Sequence, residues 1–244
     1  MIPKVIHYCW FGGNEKTSSV KRCIESWRKK CVGYEIKEWN ENNFDIHCNK
    51  FVEAAYSAKK WAFVSDYARL WIVYTYGGVY LDVDVEVLKS FDELIESPSR
   101  GFFGFETIGI VATGVGFACE KGEPLLLEMM QEYEQMSFCL ENLSEIKCPI
   151  INTKVLQRHG LTDKNEVQVV SGVIILTNEY LCPENFFTGE KNYTENTFSI
   201  HHYDASWMDT KSRLIIKLIR KGKSVLPLKF VKIIRRGVHF LVNK

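Results

Sequence analysis

Residues 74–88 read YTYGGVYLDVDVEVL. Side chains alternate along extended backbone, so Val79, Leu81, Val83, Val85 and Val87 share one face of a strand. Tyr80, Asp82, Asp84 and Glu86 share the other. The apolar half is that of a core strand. The polar half sets three carboxylates in a row, with same-face neighbours roughly 7 Å apart and repelling by about 2 kcal/mol per pair at an effective dielectric of 20. Either water bathes that face or a cation sits on it. The first reading is a solvated acidic strand. The second uses two oxygen ligands with room for substrate phosphates, a donor set that suits Mg²⁺ or Mn²⁺.

Upstream, AKKWAFVSDYARLWIVYTYGG (58–78) reads as a helix stopped by Gly77-Gly78. Asp66 and Arg69 stand at i,i+3 and share a face of it, in a segment otherwise apolar or aromatic from Trp61 to Tyr76. They are either an ordinary surface ion pair or an acid and a guanidinium aimed at vicinal hydroxyls. Further upstream, KVIHYCWFG (4–12) is a strand and TSSVKRCIESWRKKC (17–31) an amphipathic helix capped by Thr17 or Ser18, with Val20, Ile24 and Trp27 on one face. YEIKEW (34–39) is a second strand. This succession opens an α/β sheet. Strands are also expected at 101–105, 115–119, 167–170 and 173–177, and a helix begins at Pro124. The stretch 181–196 reads as a loop.

Trp10 ends the first strand, where ligands of α/β sheets gather and an indole can stack on a nucleobase; otherwise it is a core aromatic. In SIHHYDASW (199–207) two adjacent histidines point to opposite faces of a strand, so at most one joins any given site.

The chain has 244 residues, 46% of them hydrophobic and 13% aromatic, enough for one globular α/β domain with an appendage. Its net charge of +1 hides an asymmetry: eleven Lys and Arg and no acid fall in 210–244, leaving 20 basic against 30 acidic residues elsewhere. We read 1–208 as the domain and 209–244 as a basic amphipathic tail, with Leu214, Ile215, Leu218 and Ile219 on one helical stripe. Such a tail is either a terminal helix packed on the domain or, the favoured reading, a helix on an anionic membrane surface; it lacks the aromatic interleaving of a nucleic-acid binder. The opening MIPKVIHYCWFGG has no signal-peptide run, and the eight cysteines form no CxxC pair. Buried thiols in a reducing compartment are expected.

The combination of IPKVIHYCWFGG, SWRKKCVGYEIKEWNENNFD, AKKWAFVSDYARLWIVYTYGGVYLDVDVEVLK and EYLCPENFFTG with NTFSIHHYDASW resembles glycosyltransferase family 32, with its DXD sugar-binding segment. It is most similar to small bacterial members associated with capsular and surface polysaccharides, and more distantly to the catalytic domains of clostridial glucosylating toxins. The resemblance implies a GT-A-like fold with a mixed central sheet, a nucleotide-sugar donor (a UDP-sugar by likeness to the toxins), Mn²⁺ or Mg²⁺, and retention of anomeric configuration. With the opening segment and the basic tail, the expectation is a cytoplasmic enzyme, peripheral on the inner membrane face, with a glycan or lipid-linked acceptor. By position, Trp10 would stack on the base and Asp66 and Arg69 would hold the sugar hydroxyls. Tyr80 and Asp82 would lie against ribose and sugar, Asp84 would bind the metal, and Ser206 and Trp207 would close over the diphosphate. His202 is the expected third ligand. The acceptor-side Asn of the toxins has no match in IGIVATGVGFACEKGEP (108–124). Two other readings compete. One is a non-catalytic sugar- or nucleotide-binding module. The other is a DxD metal-dependent phosphatase, which fits less well because some 80 residues precede the motif.

Overall fold

The computed structural model describes residues 1–143, 145–186 and 189–203. In chain order the elements are β1 (Val5–Cys9), α1 (Ser18–Lys30), β2 (Glu35–Trp39), α2 (Lys50–Ser57), α3 (Trp61–Tyr76), β3 (Gly78–Tyr80) and β4 (Val85–Val87). Then come α4 (Asp92–Ile95), β5 (Gly101–Thr107), β6 (Ile110–Val111), a 3₁₀ turn at Thr113–Val115, β7 (Phe117–Cys119) and α5 (Pro124–Glu134). The described fold finishes with α6 (Cys148–Arg158), β8 (Gln168–Val170), β9 (Val173–Leu176), α7 (Asn178–Leu181) and β10 (Ser199–His201).

The main sheet runs β2-β1-β3-β7-β5-β9-β8, with β6 paired to the far end of β5. β1 is parallel to both β2 and β3, β7 is antiparallel to β3 and β5, and β9 is parallel to β5, so the sheet is mixed, as expected. Its central strands are buried on both faces. In β5, Phe103 and Phe105 belong to the core that includes residues of α3 and α5, and Phe102 to a second core that includes Ile24 and Trp27 of α1. α1 is capped by Thr17 Oγ1, which accepts from Val20 N–H. Each fully buried Leu, Ile, Val or Phe in these cores contributes about 1.5–3 kcal/mol.

α3 delivers the chain into β3 through Gly77 (φ 68°) and Gly78 (φ 105°). A β-carbon at Gly78 would stand 2.8 Å from the carbonyl oxygen of Val5, so any other residue there would push β3 off β1. The helix end and its double-glycine stop follow the expectation.

The carboxylate strand does not. Residues 79–87 form two strands in two sheets: β3 pairs with β1 and β7, whereas β4 pairs with β10 in a separate ribbon. Between them Val85 N–H bonds to Asp82 C=O at 3.0 Å, closing a turn over Asp82–Val85. β4 can leave the sheet because α1 satisfies its second edge: Trp27 Nε1 donates to Val85 C=O (2.7 Å) and Ser26 Oγ accepts from Val87 N–H (2.9 Å). Asp82 and Asp84 therefore converge through a turn and not through strand alternation.

Six of the eight cysteines are buried, as expected. The tail expected over 209–244, with its apolar stripe, lies outside the described residues. Among the described residues no helix is long and apolar enough to cross a membrane.

Candidate active site

The site gathers at the C-terminal edge of the parallel trio β2-β1-β3. Register sets His7 beside Tyr80, so Trp10 leaves β1 at the edge where Asp82 leaves β3. Below that edge α3 presents Asp66 and Arg69, buried rather than on the surface. Arg69 Nη2 lies 2.7 Å from Asp66 Oδ1 and 3.4 Å from Asp82 Oδ1. Its Nε donates to Ser65 C=O at 3.0 Å, and its guanidinium lies 5.2 Å from the ring centre of Tyr80. The Tyr80 hydroxyl donates to Asp82 Oδ1 at 3.0 Å. Asp82 is thus held from two sides, leaving its second oxygen for a ligand.

On the other side of the turn, Asp84 Oδ1 stands 3.3 Å from His201 Nε2. Ligand atoms of Asp82, Asp84 and His201 all lie within 4.8 Å of one another. His201 comes from β10, whose register opposite β4 pairs it with Val85. The expected third ligand, His202, points elsewhere: its Nε2 lies 2.8 Å from Glu86 Oε2. The two histidines do take opposite faces, and the one beside the aspartates is His201. Glu86 belongs to this second pair and not to the aspartate group. Tyr203 (φ 55°) packs edge-on against the His201 ring, with centres 4.3 Å apart.

Electrostatics follow from burial. Loss of water opposes the charge on Arg69, but Asp82 and Asp66 outweigh it and keep the guanidinium firmly charged. Burial pushes the Asp66 carboxyl up to about 6 against the opposing pull of Arg69. Burial also raises Asp82; Arg69 opposes this and the nearby Asp84 adds to it. For His201, burial disfavours the charged ring, yet Asp84, Asp82 and Glu106 together raise it to about 9. Two carboxylates so close draw positive charge to this point. An oxygen, oxygen, nitrogen donor set of this kind suits Mn²⁺ or Mg²⁺. Among the described residues the buried Nδ1 of His201 has no hydrogen-bond partner.

Trp10 is half-buried; its Nε1 donates to Asn14 C=O at 2.7 Å, and Lys16 Nζ stands 5.5 Å from its ring centre. Beyond it an open cleft of about 580 Å³ is lined by Gly12, Gly13, Asn14, Glu41, Tyr56, Lys59 and Trp61. Ser206 and Trp207 lie outside the described residues. Sequence reasoning misses two members of the site. Glu106, whose carboxyl is raised by burial and opposed by His201, Tyr203 and Lys147, is the next-to-last residue of β5, with no motif around it. Gly114 sits so close that a β-carbon there would stand 2.6 Å from Asp82 Oδ2.

Residues 17–100 match the family described as glycosyltransferase sugar-binding region containing DXD motif. The matched segment, about a third of the chain, holds α3 and the DXD turn, and it is similar to the group that the sequence resembles. Two similar proteins from Schizosaccharomyces pombe are named inositol phosphoceramide mannosyltransferase 3 and 1. The first is 28% identical over 56% of this chain and 38% of its own length; the second is 23% identical over 94% and 70%. The chain thus spans well under half the length of the first. Among solved structures, PaToxG glycosyltransferase superposes with a TM-score of 0.52 at 18% identity, over 64% of this chain and 68% of that one, and shares its fold. The fold is GT-A-like, with a mixed central sheet.

Proposed function

We propose that the protein is a metal-dependent, retaining glycosyltransferase that moves a hexose from a nucleotide-sugar donor to a glycan or lipid-linked acceptor in surface-polysaccharide synthesis. One observation carries the reading: Asp82, Asp84 and His201 converge within 4.8 Å directly beside the buried Asp66–Arg69 pair. Asp84 and His201, with the free oxygen of Asp82, would hold Mn²⁺ or Mg²⁺. When bound, such an ion supplies Lewis-acid stabilisation of a departing diphosphate.

The remaining work falls to the chain. Arg69 and Asp66 offer a donor and an acceptor for the sugar's vicinal hydroxyls, and their mutual bond fixes both before substrate arrives. Asp82, oriented by Tyr80 and Arg69, places negative charge beside the carbon at which oxocarbenium character develops. Trp10 would stack on the base. Ser206 and Trp207, by resemblance, would close over the diphosphate. With no carboxylate assigned as nucleophile, the reading favours attack by the acceptor hydroxyl on the face the diphosphate leaves. A UDP-sugar is the favoured donor by likeness to the toxins. The named activity of the Schizosaccharomyces pombe relatives supports a hexose and makes a mannose donor the first alternative to try.

The basic segment 210–244 is proposed as an anchor to the anionic inner face of the cytoplasmic membrane, supported by its charge pattern. Binding to anionic vesicles that fades at high salt and is lost on removing the segment is the expected result. Equal binding to neutral vesicles would overturn it. The transfer reading is tested by incubating nucleotide sugars with Mn²⁺ and following the anomer formed by NMR. Retained configuration is expected; inversion would overturn the stereochemical part.

A further inference from the structure

Two consecutive residues of α6 hold the end of β6 and the 3₁₀ turn that follows it. Thr153 Oγ1 accepts from Val111 N–H at 2.9 Å. Asn152, fully buried, accepts through Oδ1 from both the N–H (3.1 Å) and the hydroxyl (3.0 Å) of Thr113. Its Nδ2 is turned toward Met129 Sδ at 3.4 Å. An amide set in an apolar core is costly unless its bonds are made, and here both strong ones go to a single residue of the 3₁₀ turn. The next residue of that turn is Gly114. A β-carbon on it would stand 2.6 Å from Asp82 Oδ2 and 2.9 Å from Arg69 Nη1, so bare backbone lies directly on the ion pair. The N-terminus of α6 touches the same group, since Arg69 Nη1 and the Thr113 hydroxyl both approach Cys148 Sγ, at 3.9 and 3.6 Å.

We propose that Asn152 is a positioning residue for the donor-sugar site. Through Thr113 it fixes the turn that seats Gly114 on Asp82 and Arg69, and Gly114 forms the wall that sets how the two charged groups face the sugar. Asn152 itself touches neither group and acts only through the turn. The assignment of Asp82 and Arg69 to a sugar rests on the proposed transferase reading; their dependence on Asn152 does not.

The test compares Asn152→Leu, Gly114→Ala, the double variant and Met129→Leu, each measured for thermal stability, donor hydrolysis and Mn²⁺ affinity by calorimetry. Asn152→Leu is expected to lower kcat at least tenfold with a smaller change in donor KM. Gly114→Ala should do the same, and the double variant should be no slower than Gly114→Ala alone. Met129→Leu perturbs the same core but leaves the turn in place, so its kcat and KM should match wild type. Were Asn152→Leu to keep wild-type kcat and KM, or were the two losses to multiply in the double variant, the proposal would fail. If Asn152→Leu does not fold, Thr113→Val removes one of the two bonds at nearly constant volume, and an unchanged kcat there overturns it equally. A wild type inactive on every donor speaks against the transferase reading; the same non-additivity is then read on Mn²⁺ affinity. A shared, non-additive weakening there supports the role of Asn152, and independent effects overturn it.

Discussion

His201 Nε2 stands 3.3 Å from Asp84 Oδ1, while its neighbour His202 places Nε2 2.8 Å from Glu86 Oε2. One histidine faces the aspartate group and the next faces a half-exposed glutamate. His201→Ala should therefore weaken Mn²⁺ binding and donor turnover at least tenfold, and His202→Ala should leave both within about twofold. The pair is scored by Mn²⁺ titration of activity. The reverse ranking would return the ligand role to His202.

Asp84→Asn keeps the size of the side chain but removes an anionic ligand and relieves repulsion with Asp82. It should abolish Mn²⁺-dependent turnover while the protein unfolds at or above the wild-type temperature. A thermal melt alongside the assay separates loss of the site from loss of the fold.

Arg69 is buried between two carboxylates, so removing it strands both. Breaking a buried pair from one side typically costs about 3–5 kcal/mol. Arg69→Met should show a loss of that order in denaturant unfolding, together with loss of turnover. Arg69→Lys should rescue little, because one ammonium cannot reach Asp66, Asp82 and the Ser65 carbonyl together.

The fold was legible wherever the signal is local. The α3 stop at Gly77-Gly78, the cap of α1 and the parallel start of the sheet all follow from residues adjacent in the chain. Val79 to Val87 misleads because its alternation is unbroken; what splits it is the change of partner from β1 to β10, a tertiary fact. The same pairing decides between His201 and His202. Adjacency dictates opposite faces, and only the β10–β4 register says which face holds Asp84. α2 and α6 have weaker signals, and α6 matters because it carries Asn152 into the core behind the site. Glu106 and Gly114 reach the site from loops and strand ends with no pattern of their own.

His7 links acidity to stability. Its Nε2 bonds to Gly77 C=O (3.0 Å) and its Nδ1 accepts from Trp39 Nε1 (3.1 Å), an arrangement that needs a neutral ring. Burial holds it down at about 4, against an ordinary 6.5. Between those values the unfolded chain binds a proton that the folded chain refuses. This stabilisation is complete above pH 6.5 and is lost as pH falls toward 4, by about 3 kcal/mol. Urea unfolding of wild type and His7→Gln across this range should show a steeper fall for wild type. Parallel curves would refute the assignment.

Trp10→Ala should weaken nucleoside-diphosphate binding by about 1–3 kcal/mol if the indole stacks on the base. A variant that melts much lower with unchanged affinity would make Trp10 a packing residue.

The central claim, a nucleotide-sugar site built on a cation, is met most directly by one assay: release of sugar from UDP- and GDP-sugars by the whole chain, in Mn²⁺ and in excess chelator. The account predicts turnover of at least one donor in Mn²⁺, its loss on chelation and its return when Mn²⁺ is restored. Undiminished turnover in excess chelator would contradict it.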